Sequence, residues 1–358
     1  MKKNDLILLI VVTILTLFGL LIIYDASSYS ALRDFNDQFH YIKEQTMWII
    51  LGFISLSFFS KFNYHKLYML AIPILITSLV LLIGVFLPGV GLPPILGARR
   101  WVHIGFFVLQ PAEFAKLAIA IYLAAWFSQK EKGRFLPFLF FLGLMLFLIM
   151  REPDMGTATI ILAESLILYF LSGNSIKHFF YLIPIVVLGG LALIKLEPYR
   201  AARLTSFLSS GESIEHSSYH VRQILIALGS GGMFGVVIGN SLQKYAYLPD
   251  TTTDAIFAII GEEVGYVGSI ILLILFLSVI LLGFSIATRA KDPFGKLLAG
   301  GIVSFLAVQM IINLGAISAL FPLTGVPLPF ISYGGSALVM NLSAIGILLN
   351  ISRLSTNV

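Results

Sequence analysis

Several short polar stretches of this sequence place carboxylates near basic side chains, and these are the residues best suited to chemistry. Asp254 follows the threonines Thr251, Thr252 and Thr253. Glu113 and Lys116 are three positions apart, so on a helix they would share a face and could pair. A carboxylate can serve as a general base, and a basic side chain can bind an anionic group. A pair that merely neutralises itself explains Glu113 and Lys116 as well as a catalytic role does. Asp254 could also be a carboxylate favoured by a helix N-terminus, with a threonine as the cap.

Composition places these residues in a membrane protein. Of the 358 residues, 58% are hydrophobic and 11% are charged, whereas soluble domains have about 25% charged residues. The chain has no cysteine, which excludes disulfides and thiol catalysis, and its six histidines do not have metal-ligand spacing. The net charge of +5 lacks a basic run interleaved with aromatic residues, so we predict no nucleic-acid partner.

Ten apolar runs are long enough to cross a bilayer as helices. The first follows Lys2 and Lys3 and is interpreted as a retained span rather than a cleaved signal peptide. The sequence predicts an all-α polytopic membrane protein with one transmembrane domain over residues 1–358. The predicted spans are 6–24, 45–60, 67–87, 111–127, 135–150, 157–172, 179–195, 256–283, 297–320 and 336–351.

Lysine and arginine in the short loops predict the orientation, because such loops are enriched in basic residues on the cytoplasmic side. Both termini are then cytoplasmic, and a large loop of about 197–255 between spans seven and eight is extracytoplasmic. Within that loop, 219–228 is amphipathic and is predicted to lie on the membrane surface.

In this orientation the charged side chains gather at the outer ends of the spans, and Glu164 in the middle of span six is the deep exception. Each one alone is as well explained by an interfacial side chain, and Glu164 is better explained as a structural group that faces a partner helix or stays protonated. Their convergence favours function, because ionisable groups at membrane depth are costly. The candidates beside Asp254, Glu113 and Lys116 are Arg99, Arg100, Trp101, Asp154, Arg200, Arg203 and Lys244.

Seven motifs in collinear order resemble the SEDS family, named for shape, elongation, division and sporulation. The resemblance covers nearly all ten spans, and it is closer to the division branch (FtsW) than to the elongation branch (RodA). The motifs are GARRWVHIG (97–105), QPAEFAKLA (110–118), EPDMGTA (152–158), IALGSGGMFG (226–235), GNSLQKYAYLPD (239–250), TDAIFAIIGEEVGYVG (253–268) and PLTGVPLPFISYGGS (322–336).

The resemblance implies a peptidoglycan glycosyltransferase that polymerises lipid II at the outer face of the bacterial cytoplasmic membrane. It places the family's essential aspartate on Asp254, its Glu and Lys on Glu113 and Lys116, and a further aspartate on Asp154. This chain departs from the family where Thr252 stands in place of a histidine, which weakens any mechanism that needs an imidazole there. It also departs at Ala112, Glu152 and Asp250.

The implied reaction is a single inverting transfer, for which Asp254 would be the general base. Basic side chains would bind the pyrophosphate, and the candidates are Arg99, Arg100, Arg200, Arg203 and Lys244. A divalent cation, Mg²⁺ or Mn²⁺, could help or replace them. The implied partners are lipid II, a class B penicillin-binding protein and other membrane proteins of division or elongation.

Two other functions fit the same topology. A lipid II flippase would place its key charges near the bilayer midplane with access from both sides. A scaffold that only recruits division proteins would not need an acid with basic neighbours in a polar loop. The outer position of the charges favours the enzyme.

Overall fold

The computed structural model describes residues 3–94, 98–105, 107–129, 134–196, 219–241, 243–244 and 252–355. Eleven helices and one small hairpin lie within these ranges. The helices are α1 (Lys3–Phe35), α2 (His40–Lys61), α3 (His65–Gly84), α4 (Pro111–Phe127), α5 (Phe135–Arg151), α6 (Met155–Leu171), α7 (Lys177–Leu196), α8 (Tyr219–Ser230), α9 (Ile256–Arg289), α10 (Pro293–Ile317) and α11 (Gly335–Leu354).

Ten of these helices coincide with the ten predicted spans, and the all-α polytopic fold is confirmed. By length and composition, α1, α3, α9, α10 and α11 can each cross a membrane, and α5, α6 and α7 are shorter apolar helices. Predicted boundaries differ most at α1 and α9, which continue beyond the apolar run into polar sequence. Hydrophobicity marks only the part of a helix that lies in hydrocarbon, so it underestimates helix length.

Helix α10 lies at the centre of the bundle, packed against α4, α6 and α9. Small residues allow the close approach. A Cβ on Gly301 of α10 would lie 3.0 Å from a Leu168 methyl on α6 and 3.3 Å from the Ala120 Cβ on α4. Helix α11 packs tightly on α2, where a Cβ on Gly346 would come within 2.5 Å of the Leu56 carbonyl oxygen. Such small-residue interfaces are typical of helix packing in membranes.

Short structures cover the end of the bundle at which α4 and α6 begin. The antiparallel strands β1 (Val102–Ile104) and β2 (Phe107–Leu109) lead into α4, a small departure from the predicted all-helical chain. The amphipathic stretch predicted at 219–228 is helical and forms α8. After it, the backbone of 231–237 docks on α9, where Tyr266 donates to the Gly232 carbonyl and Val236 donates to the Glu262 carbonyl. Helix α9 is broken at that point by Gly265, at φ 67°.

Candidate functional site

Asp254 lies in a turn just before α9 and is half-buried. Helix α9 begins at Ile256, and its N-cap residue is Ala255, which makes no side-chain cap. The expectation that a threonine caps this helix is therefore wrong. Instead the Thr253 hydroxyl donates to the Asp254 carboxylate at 3.1 Å.

The turn that carries Asp254 is fixed by the segment between α10 and α11. Asn313 of α10 donates its amide both to the Asp254 carbonyl at 2.9 Å and to the Val326 carbonyl at 2.7 Å. Ser332 donates its hydroxyl to the Thr253 carbonyl at 2.6 Å. Gly325, at φ 71°, has no side chain, and a Cβ there would lie 4.0 Å from a carboxylate oxygen of Asp254. The predicted motif at 322–336 thus supports the Asp254 turn directly.

Glu113 and Lys116 form the ion pair that their spacing predicts. The ammonium lies 2.8 Å from the Glu113 carboxylate, and both side chains are almost fully buried, at 2% and 1% exposure. The ammonium also donates to the side-chain oxygen of Gln309 at 2.6 Å. A buried charge needs such compensation, because an isolated one is strongly disfavoured in an apolar interior.

Two amides of α10 connect this ion pair to the Asp254 turn. Gln309, which accepts from Lys116, donates to the Pro327 carbonyl at 2.9 Å. Asn313, one helical turn further along, holds the adjacent Val326 carbonyl and the Asp254 carbonyl. The Lys116 ammonium and the Asp254 turn are therefore attached to the same short segment.

Asp154 caps helix α6. Its carboxylate accepts from the Thr157 backbone N–H and from the Thr157 hydroxyl, both at 2.9 Å. The Gln110 amide, at the start of α4, donates to it at 3.2 Å. Asp154 thus joins the beginnings of α4 and α6, and this capping geometry accounts for the residue without a catalytic role.

The turn between α5 and α6 also positions Arg100. Its guanidinium donates to the Glu152 carbonyl at 3.2 Å and the Pro153 carbonyl at 2.5 Å. The Glu152 side chain is fully buried, and its oxygens make no hydrogen bond to a described residue. Burial raises the pKa of Glu152 to about 9, the charge of Asp154 adds to the effect, and Arg100 opposes it.

The remaining predicted anion ligands are differently placed. Arg99 is exposed and Trp101 is half-buried beside the hairpin. Lys244 donates to the Asp25 carboxylate at 2.8 and 3.0 Å and to the Glu263 carboxylate at 3.3 Å. Arg200 and Arg203 lie outside the described residues.

Lys244 and its two carboxylate partners form a second buried cluster. Burial by itself lowers the pKa of Lys244, but the hydrogen bond and charge of Asp25, together with Glu263, outweigh it and raise the pKa. Glu263 also accepts from the backbone N–H groups of Gly239 and Ser241, so the cluster fastens the loop after α8 to α1 and α9. The predicted role of Lys244 in binding pyrophosphate stays a prediction.

Three residues of these networks escaped the sequence analysis, namely Asp25, Gln309 and Asn313. Gln309 and Asn313 could have been predicted from the sequence. Two amides four positions apart in an apolar span share one face of the helix and need hydrogen-bond partners. Asp25 could not, since its partner Lys244 is 219 positions away. Among the described residues, no group of three or more acidic or histidine side chains is arranged to hold a metal ion.

Known proteins resemble this chain over almost its whole length. The family model described as Cell cycle protein, FtsW/RodA/SpoVE, matches residues 5–357. Stage V sporulation protein E of Bacillus subtilis is 38% identical over 98% of this chain and 97% of its own length. The probable peptidoglycan glycosyltransferase FtsW of Geobacter metallireducens is 35% identical over 98% and 95%. The same-named protein of Coxiella burnetii is 38% identical over 95% and 93%.

Solved structures share the fold. A chain from a peptidoglycan synthase complex superposes with a TM-score of 0.79, at 23% identity and 98% coverage of both chains. The rod shape determining protein RodA of Thermus thermophilus superposes with a TM-score of 0.70, at 25% identity, over 98% of this chain and 97% of that one. The relatives named FtsW agree with the predicted likeness to the division branch, and the Bacillus subtilis relative is a sporulation protein.

Proposed function

Because the chain belongs to the FtsW/RodA/SpoVE family, we propose that it is a peptidoglycan glycosyltransferase that polymerises lipid II, with a role in cell division. Its relatives named FtsW carry the same activity in their names. The observation that carries the proposal is the turn that presents half-buried Asp254: its backbone carbonyls are held by α10 and by the 322–336 segment. Gln309 links the same segment to the buried ion pair of Glu113 and Lys116. The multi-pass membrane fold suits a lipid-anchored substrate. We place the protein in the bacterial cytoplasmic membrane with this site facing outward.

The reaction needs one base and a stabilised leaving group. A sugar hydroxyl of the acceptor attacks the anomeric carbon of the donor, the new glycosidic C–O bond forms, and the C–O bond to polyprenyl pyrophosphate breaks with inversion. Asp254 takes the hydroxyl proton. Pyrophosphate leaves as an anion, so a second carboxylic acid is not required, unlike in glycoside hydrolysis. A general base contributes about 10²–10⁴-fold, and positioning and charge stabilisation supply the rest.

The basic side chains around the site have different proposed roles. Lys116 and Lys244 are both bonded to carboxylates, which favours positioning roles for them. Arg99 is exposed on the side at which α4 and α6 begin and is the described cation best placed to meet pyrophosphate. Arg200 and Arg203 remain candidates from the sequence.

A divalent cation is a further proposal. Mg²⁺ typically binds through substrate phosphates with one or two carboxylates and keeps several waters, so it does not need a ready-made cluster of protein ligands. Asp254 is the carboxylate that could supply such a contact to Mg²⁺ or Mn²⁺ carried by the pyrophosphate. Chelation by EDTA, followed by return of Mg²⁺ or Mn²⁺, tests this requirement.

An apolar cavity supports a substrate with a long hydrocarbon chain. It has a volume of about 320 Å³ and lies between α5, α6 and α7, bounded at one end by Met150 and Met155 next to the Glu152 turn. A lipid whose tail lay there would bring its headgroup to the side of Arg100 and Asp154. A class B penicillin-binding protein is the proposed partner, since one structural neighbour belongs to a complex that couples polymerization and crosslinking.

One observation favours a lipid II flippase as the second candidate. Lys116 and Glu164 are ionisable groups buried well inside helices, as a transporter requires. The link of Lys116 through Gln309 to the segment that holds the Asp254 turn favours the enzyme.

Purified protein incubated with lipid II tests the proposal. The reactions are run with and without the cognate transpeptidase, its crosslinking blocked, and the products are separated by length. Glycan strands longer than one disaccharide support the enzyme. Unchanged lipid II in every condition, including added Mg²⁺ or Mn²⁺, contradicts it.

A further inference from the structure

Glu164 is a buried carboxyl group that the proposed mechanism does not use. It lies in the middle of α6 with 0% of its surface exposed, and its oxygens make no hydrogen bond to any residue that the structure describes. Burying a carboxyl group without a partner costs free energy, and an apolar residue of similar size would be less costly. A residue retained at such a cost invites a functional explanation.

The packing of three helices sets the depth of Glu164. Helices α4 and α6 begin at the same end of the bundle, as the bond between Gln110 and Asp154 requires. Further along, Ala120 of α4 and Leu168 of α6 both contact the position of Gly301 on α10, so these three residues lie at one level.

One helical turn back toward that end, the same three helices present Lys116, Glu164 and Phe305. Four residues advance each helix by about 6 Å, so these side chains share the next level. The Lys116 ammonium lies 5.9 Å from the centre of the Phe305 ring, as this layering requires. The lysine therefore has the Glu113 carboxylate on its own helix and the Glu164 carboxyl group at the same level on the neighbouring helix.

We propose that Glu164 is a positioning residue, a second acidic partner of Lys116 that sets where the ammonium rests and thereby how fast polymerisation proceeds. This inference rests on the proposed function. Glu113 and Gln309 attract the ammonium from one side, and Glu164 attracts it from α6. Because Gln309 also holds the Pro327 carbonyl, a shift of the ammonium is transmitted to the segment that fixes the Asp254 turn.

Two substitutions test the proposal. Glu164→Gln keeps the shape and replaces the carboxyl group by an amide, and Glu164→Leu replaces the buried carboxyl by an apolar group. We expect both to lower kcat for polymerisation by about tenfold, equivalent to about 1.4 kcal/mol in the barrier, with little change in KM. We expect Glu164→Leu to melt at the same temperature or higher, because it relieves the buried carboxyl.

A variant that is at least as stable and yet slower is a result that a purely structural role does not produce. The matched control is Ser165→Ala, which alters the adjacent buried polar residue, whose hydroxyl also lacks a partner among the described residues. It should retain wild-type kcat. Wild-type kcat in both Glu164 variants overturns the proposal.

A double-mutant cycle separates this inference from the proposed function, because it needs no activity. The melting temperatures of Lys116→Met, Glu164→Gln and the double variant are compared with the wild type. Non-additive shifts establish the pairing even if the wild type makes no glycan, in which case the proposed function fails alone. Additive shifts overturn the pairing whatever the activity.

Discussion

Two lysines are buried beside acidic side chains in the part of the chain that the structure describes, and their surroundings differ. Lys116 lies among three packed helices with Glu113, and its second bond goes to Gln309, which holds the segment beside the Asp254 turn. Lys244 lies in a loop and bridges Asp25 of α1 and Glu263 of α9. A buried lysine bonded to carboxylates thus has two different roles in this protein. The Lys116 cluster is connected to the turn of the proposed catalytic carboxylate, and the Lys244 cluster fastens a loop to the bundle.

Close backbone contacts at the glycines near Lys244 support this distinction. In the loop after α8, a Cβ on Gly235 would come within 2.0 Å of the Glu263 carbonyl oxygen, and one on Gly265 within 2.2 Å of the Gly235 nitrogen. Backbone therefore docks on backbone there, and Lys244 completes a structural joint. Around Lys116 the polar contacts are made by the side chains of Glu113 and Gln309.

The largest effect is expected at Lys116. Lys116→Met leaves the Glu113 carboxylate buried without its cation, so we expect a loss of about 3–5 kcal/mol in unfolding free energy and no polymerisation. Adding Glu113→Gln should restore most of the stability but not the activity. Thermal unfolding in detergent and a lipid II assay measure the two quantities. An active double variant would show that polymerisation does not need Lys116. The proposed difference between Lys116 and Lys244 would then be wrong.

Lys244 should give the opposite outcome in its double variant. Lys244→Met alone strands Asp25 and Glu263, with a similar loss of about 3–5 kcal/mol. Combined with Asp25→Asn, it should regain stability, and activity per folded molecule should be retained. If the folded double variant loses activity while it still binds the partner, Lys244 contacts pyrophosphate. Both lysine clusters would then contribute to catalysis.

Glu152 sharpens the comparison because it is a buried carboxyl group with no lysine beside it among the described residues. Its pKa rises from 4.5 to about 9 on folding, so the folded protein holds a proton that the unfolded chain releases. The contribution of Glu152 to the free energy of unfolding is largest below pH 4.5. It decreases as the pH rises toward 9, by up to about 1.4 kcal/mol per pH unit. Melting temperatures between pH 6 and 8.5 measure the slope. Glu152→Gln should flatten it, and an unchanged slope would contradict the assignment.

Asp154 should show the smallest effect. Asp154→Ala removes the cap of α6 and should cost about 1 kcal/mol, whereas Asp154→Asn keeps a capping oxygen and should cost much less. Both stability and polymerisation are measured. Inactive but stable Asp154→Asn would show that the carboxylate itself takes part in the reaction.

The sequence predicted what depends on local pattern. Apolar runs located ten helices, and the spacing of Glu113 and Lys116 predicted their ion pair. The helix ends, such as the continuation of α1 to Phe35, were missed because a bilayer pattern stops where the hydrocarbon stops. The partners of Lys116 on α10 and of Lys244 on α1 lie 193 and 219 positions away. Such contacts depend on which helices become neighbours in the packed bundle. The arrangement of the helices cannot be read from a single sequence.

The most direct measurement uses Asp254→Asn in detergent micelles, where there are no leaflets and transport has no meaning. Asp37→Asn, in the exposed turn between α1 and α2, is the matched control. With lipid II, partner and divalent cation, the wild type and the control should form long glycan strands and release polyprenyl pyrophosphate. Asp254→Asn should reduce both products by about 10²-fold or more, with its melting temperature unchanged. Full polymerisation by Asp254→Asn, or no polymer from the wild type together with Asp254-dependent movement of labelled lipid II between liposome leaflets, would contradict the account.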